Sequence, residues 1–263
     1  WMQGYAGVFR TNYFLQNIDG VTEIDAAVKK RYIAEAKFLR ARFYFDLVTF
    51  FRNIPLVMEP LELKNVYDQE QVAPELVYAQ IEKDLNEAMP DLPVVIPATE
   101  NGRVSQGAAK AYLGKVILYQ MNTARMSEAA GLFNEVNKAD NIYGYYLLEN
   151  YADVFKKANK FNHESILEIP HSDLSRATGL DYLYTEGNLW TAFIGPAYMV
   201  NMGDYASGFG GVPVELALAD AMKTDPRFTA SIADFNMIVI LSGFTSFYLP
   251  GADNTGYFPE KWI

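Results

Sequence analysis

The sequence predicts a mainly α protein: a tetratricopeptide-like scaffold of helix pairs, followed by an irregular, loop-rich ligand-binding region. Three observations predict it. Apolar residues recur at three- and four-residue spacing through roughly the first 140 positions, the period of helices with one buried face. Proline-marked breaks cut that stretch into helix-sized pieces. Beyond Tyr143 the texture changes to aromatic-rich segments, and Ala177 to Met222 contains no Lys or Arg.

The first helix is expected from near Trp1 to Ile18, and the second from about Asp25 to Arg52. Wound at about 100° per residue, the second helix gathers Arg31, Glu35, Arg42 and Asp46 on one arc. Phe38, Leu39, Phe43, Tyr44, Phe45, Leu47 and Val48 cover much of the remainder. Arg40 falls almost opposite the wet arc, with Lys37 nearby. A guanidinium in apolar surroundings needs a partner to offset its desolvation, so Arg40 is expected to be a buried ion-pair anchor between helices and not a ligand contact.

"NIPLVMEP" breaks the pattern with two prolines. A third helix fits "PELVYAQIEKDLNEAM", with Pro74 in its first turn. "PDLPVVIPATENGR" is a connector, a fourth helix runs from about Ser105 to Gln120, and a fifth from about Ser127 to Ala139. Gly107, Ala111, Gly114 and Leu118 share one arc of the fourth. Glycine costs about 1 kcal/mol relative to alanine inside a helix, so Gly107 and Gly114 on one face predict a neighbouring helix packed very close. Small residues at helix contacts suit tetratricopeptide-like pairs, although no strict 34-residue repeat is present.

After these helices, Ser165 to Ile169 alternates like a strand, and "FNMIVIL" (Phe235 to Leu241) is expected to be a buried strand. "VELALADAMKTDPRF" suggests a short helix stopped before Pro226. The domain reading is a helical scaffold at 1–142 and a loop-rich ligand-binding part at 143–263.

Composition narrows the function. The chain has 263 residues and a net charge of −10, which disfavours general nucleic-acid binding. It has no cysteine, which removes disulfides, thiolate metal sites and cysteine nucleophiles. No segment has the roughly 18 apolar residues of a membrane span. The opening "WMQGYAGVFRTNYFLQNI" is already helical in pattern, so the true N-terminus is expected to lie upstream.

Four segments, in order, resemble the SusD/RagB family of Bacteroidetes outer-membrane nutrient-binding lipoproteins. "AEAKFLRARFYFDLVTFFRNIPLVMEP" is similar to the family hallmark, and "GRVSQGAAKAYLGKVILYQ" to its second helical signature. "YYLLENYADVFKKANKFNHESILEI" and "DAMKTDPRF" resemble two later segments. The resemblance implies an internal fragment of a protein about twice as long. It also implies four tetratricopeptide-like helix pairs, a lipid anchor absent from this chain, and a location at the bacterial cell surface. The implied partner is a SusC-like TonB-dependent transporter. The implied ligand is an oligosaccharide, or a peptide in RagB-like members; no cofactor or catalysis is implied.

The window Ala177–Met222 is the candidate binding surface. Sugar rings stack their C–H faces on aromatic rings, while amides and carboxylates bind hydroxyls. Trp190 beside Asn188, with Tyr182, Tyr184 and Tyr198, fits that chemistry. The absence of Lys and Arg there disfavours anionic ligands. His163 and His171, with Glu164 and Glu168 between them, match no compact zinc spacing, so no metal site is assigned. "GADNTG" reads as a turn and "GFGGVP" lacks the context of a dinucleotide loop. No nucleophile motif or carboxylate pair stands out. A purely protein-binding tetratricopeptide scaffold and a glycoside hydrolase are the competing readings.

Overall fold

Five helices carry the N-terminal part, and their ends have local causes. The structure, a computed structural model, describes residues 1–170, 193–200, 208–241, 247–249 and 255–260. Helix α1 is Met2–Asn17, α2 Ala26–Phe51, α3 Pro74–Ala88, α4 Gln106–Tyr119 and α5 Met126–Asn137. Asp25 opens α2, its Oδ1 accepting from the amides of Ala27 at 2.8 Å and Val28 at 3.2 Å. Ser105 opens α4 in the same way, its Oγ accepting from Ala108 N at 3.0 Å. Such caps satisfy amides that have no partner within the helix. Pro74 starts α3 at a position where its missing N–H costs nothing.

Successive helices run antiparallel, as side-chain pairs show. Gly4 lies against Leu47 and Gly7 against the Phe43 ring, joining α1 to α2. Lys37 meets Glu87 and Arg40 meets Asp84, joining α2 to α3. Gln120 reaches Glu82, and Gln106 reaches the Met89 carbonyl, setting α4 against α3. Gly114 faces Phe133, and Lys110 pairs with Glu135, setting α5 against α4. This is the tetratricopeptide-like helical arrangement that the sequence predicts. The shared core includes Phe38, Tyr44, Ile54, Ile81, Leu85, Val116 and Ile117, all fully buried. Tyr44 joins it to the following loop, its hydroxyl accepting from Val57 N at 2.8 Å. Strands β1 (Ile54–Pro55) and β2 (Gln71–Val72) form a two-residue antiparallel ladder.

The chain divides into two units: Trp1–Leu147 with His163–Glu168, and Leu148–Asn162 with Ile169–Ile263. The second unit has short elements. Strand β3 (Ala197–Val200) pairs with β5 (Phe247–Leu249), and β4 (Ile232–Asp234) with β6 (Tyr257–Pro259). Helix Leu216–Met222 lies where the sequence predicts one. Two small apolar clusters serve this unit, Val214 with Ala219 and Ile232, and Ala233 with Phe235 and Phe258.

Three expectations differ from the structure. Phe235–Leu241 is a helix, not a strand. Asp234 Oδ1 accepts from Met237 N at 3.1 Å and turns the chain. Phe235 is fully buried, while Met237, Ile240 and Leu241 are exposed. Seven apolar residues in a row carry no period that separates helix from strand. Ser165–Ile169 is also not a strand. Its Ser165 hydroxyl bonds to Glu168 at 2.6 Å, and the Ile166 carbonyl accepts from the Tyr145 hydroxyl. The third difference is at Gly107. A Cβ there would meet Tyr145 at 2.7 Å and Tyr143 at 2.9 Å. Its close neighbour is therefore the segment after α5, not a helix; Gly114 does face a helix, at Phe133.

Candidate functional site

The charged side chains of the first unit form three knots that hold helices together. Arg40 is 7% exposed. Its Nε and Nη2 donate to the two Asp84 oxygens at 2.7 Å each, and Nη1 donates to Asn12 Oδ1 at 3.0 Å. Gln80 donates to Asp84 Oδ1 at 2.9 Å. The planar guanidinium matches the carboxylate bidentately, and three helices meet at this pair. Glu35 is the second knot. It accepts from Arg31 one turn before it and from both Nε and Nη2 of Arg103. Arg31 also lies 2.8 Å from Glu100, and the Arg103 guanidinium sits 5.0 Å over the Tyr32 ring. The hydrogen bond to Glu35 raises the Arg103 pKa above its ordinary value.

Glu82 is the third. It accepts from Arg125 Nη1 and Nη2 at 2.8 Å each and from Gln120 at 2.7 Å. Burial pushes the Glu82 carboxyl up, but the hydrogen bonds from Arg125 and Gln120 outweigh it and hold its pKa below the usual value. Each of Glu35, Glu82 and Asp84 is met by a guanidinium, with the Gln80 and Gln120 amides completing Asp84 and Glu82, which suits a joint between helices. The Tyr5 and Tyr44 hydroxyls have raised pKa values through burial, so both remain neutral donors.

His163 Nδ1 donates to the Gly144 carbonyl oxygen at 3.0 Å, and its ring stacks on Tyr146 at 4.4 Å. His171 lies outside the described residues. Among the described residues no three metal-ligating side chains gather, and no helix is long and apolar enough to cross a membrane.

The aromatic window is described in part. Trp190, Asn188, Tyr184 and Tyr182 lie outside the described residues; Tyr198 contributes only its place in β3. What the structure does show is a pair of rings. Phe193 and Phe209 are 47% and 67% exposed, with centroids 5.4 Å apart and planes tilted by 43°. Glycine-rich backbone holds the pair. Gly208 N donates to Pro196 O at 2.8 Å, Gly210 N to Gly195 O at 2.7 Å and Gly211 N to Phe193 O at 3.0 Å. Gly210 adopts φ +68°, a region that favours glycine. The "GFGGVP" stretch thus serves as a close-packed bend beside 193–197. Two exposed rings held by a hydrogen-bonded backbone present apolar faces within a stretch of sequence that has no Lys or Arg. The sequence reading named Trp190 and not these two rings, whose exposure only coordinates show.

The chain thus combines a tetratricopeptide-like helical part with an irregular unit that carries exposed aromatic rings. Comparison with known proteins places these features among SusD-like proteins. Residues 1–118 match a SusD-like family model described as starch-binding and associating with the outer membrane. A SusD-like protein of Formosa agariphila is 30% identical over 166 residues, 63% of this chain and 30% of its own. A solved laminarin binding SusD-like protein is 39% identical, with a TM-score of 0.90, covering 100% of this chain and 58% of its own. Surface glycan-binding protein A of Bacteroides thetaiotaomicron, solved with laminarihexaose, shares the fold with a TM-score of 0.88 at 23% identity, covering 100% of this chain and 56% of its own. Over residues 1–118 the chain matches the SusD-like family model, and over its whole length it is similar to SusD-like proteins. It spans well under two thirds of the length of these relatives.

Proposed function

We propose that this chain is part of a protein that captures a neutral oligosaccharide without chemically altering it. The observation that carries the reading is the exposed Phe193–Phe209 pair in a stretch free of Lys and Arg. Such rings stack on the C–H faces of sugars, and the absence of cations suits an uncharged glycan. Likeness to a laminarin binding protein at 39% identity supports a β-glucan as the first ligand to try. Similarity to SusD-like proteins supports a place at the bacterial outer-membrane surface, held there by a lipid anchor. It also supports delivery of the captured sugar to a SusC-like TonB-dependent transporter. Trp190, Asn188, Tyr182, Tyr184 and Tyr198 are proposed as further ligand contacts.

Titration calorimetry with laminarihexaose and maltohexaose, beside an assay for released reducing ends, tests the reading. Binding of either sugar with no turnover is expected. Turnover, or indifference to both sugars with binding of peptides instead, would overturn it.

A further inference from the structure

Between β1 and β2 the chain makes an excursion, 56–70, closed at its base by the pairs Ile54–Val72 and Pro55–Gln71. It holds a single 3-10 stretch, Leu63–Asp68. Loops of this length with so little regular structure are uncommon in a compact domain unless they serve a function. One side of the excursion and α1 enclose a cleft of about 530 Å³, walled by Trp1, Tyr5, Phe9, Val57, Leu61 and Val66. At its tip, Leu63 and Tyr67 are 90% and 96% exposed. Packing among the described residues gives no reason for either to be apolar, and clustered exposed apolar groups mark interaction surfaces.

The rim is acidic. Glu59 lines the cleft, and Asp68 and Glu70 flank Gln69, which lines it too. All three carboxylates are exposed, and among the described residues none of them has an ion pair; Glu62 is met by Lys64 at 2.7 Å. An anionic ligand would be repelled. We propose that the cleft and its rim dock a segment of a partner protein carrying aliphatic side chains with Lys or Arg beside them. The aliphatic groups fill the cleft while the cations meet Glu59, Asp68 and Glu70, which steer and orient the encounter.

The test titrates the chain with a short synthetic peptide of leucine, valine and lysine, and with a control in which glutamate replaces lysine. The lysine peptide is expected to bind, less tightly as salt rises, and the glutamate peptide to bind at least tenfold more weakly, about one unit in log Kd. Glu59→Gln with Asp68→Asn should weaken the lysine peptide roughly fivefold, the scale of exposed charge pairs. Leu63→Ser with Tyr67→Ser should weaken it similarly, while Glu23→Gln with Asp140→Asn, remote from the cleft in sequence, should not. All these positions are exposed, so circular dichroism should show an unchanged fold. Equal binding of the two peptides, equal loss with the remote pair, or displacement of the peptide by laminarihexaose would overturn the proposal.

Discussion

Arg40 and Asp84 face each other through two parallel hydrogen bonds of 2.7 Å in the buried interior between α2 and α3. Removing one partner leaves the other charged and unpaired in surroundings that water does not reach. Arg40→Ala is therefore expected to destabilise the chain by about 3–5 kcal/mol. Replacing both together, Arg40→Met with Asp84→Leu, should cost far less. Urea unfolding of the two variants measures the difference, and equal losses would contradict the paired-charge account.

Two glycines should respond to alanine with opposite signs. A Cβ on Gly114 would lie 2.9 Å from the Phe133 ring, whereas one on Gly131 meets nothing within 4 Å. Gly131→Ala is expected to stabilise α5 by about 0.5–1 kcal/mol through helix propensity. Gly114→Ala should destabilise by about 1–3 kcal/mol, since overpacking outweighs the same gain. Thermal melts showing both variants shifted upward would count against the tight α4–α5 contact.

Arg52 ends α2 with φ 61° and ψ −88°, a conformation that costs a side-chain-bearing residue about 1–3 kcal/mol. Its side chain is exposed. Arg52→Gly should raise stability by about 1 kcal/mol by relieving this strain. An unchanged or lower unfolding midpoint would refute it.

The Glu82–Arg125 knot sets a pH dependence. Because the folded-state pKa of Glu82 lies below its ordinary 4.5, the pair contributes stability above that pH. The contribution is lost as pH falls through the depressed folded value, where the carboxylate takes up a proton. The gap in melting temperature between the parent and Glu82→Gln should thus be widest near neutrality and narrow below pH 4.5. A gap that stays constant across this range would contradict the coupling.

Much of the scaffold was legible because local signals agreed with the long-range ones. Asp25, Ser105 and Pro74 marked helix starts, and the misplaced Arg40 announced a buried partner without naming Asp84. That partner lies 44 positions away, and nothing local to α3 distinguishes Asp84 from its acidic neighbours. Gly4 and Gly7, which bring α1 onto Leu47 and Phe43, carried the same spacing cue as Gly107 and Gly114 and went unused. The chain beyond α5 was harder to read. "FNMIVIL" has no period, and Ser165–Ile169 alternates without a partner strand. The choice among aromatics in Ala177–Met222 depends on exposure, which one-dimensional spacing does not encode.

The central claim is glycan capture at an aromatic surface, and calorimetric titration of laminarihexaose into the parent chain and a Phe193→Ala, Phe209→Ala double variant tests it most directly. Stacking on each ring is worth roughly 1 kcal/mol, so the double variant should bind about tenfold more weakly or more, with its circular dichroism and melting temperature unchanged. Binding by the parent should vary little with salt, because no charge is involved. A variant that binds laminarihexaose as tightly as the parent would contradict the placement of the surface. A parent that binds neither this sugar nor maltohexaose would contradict the claim itself.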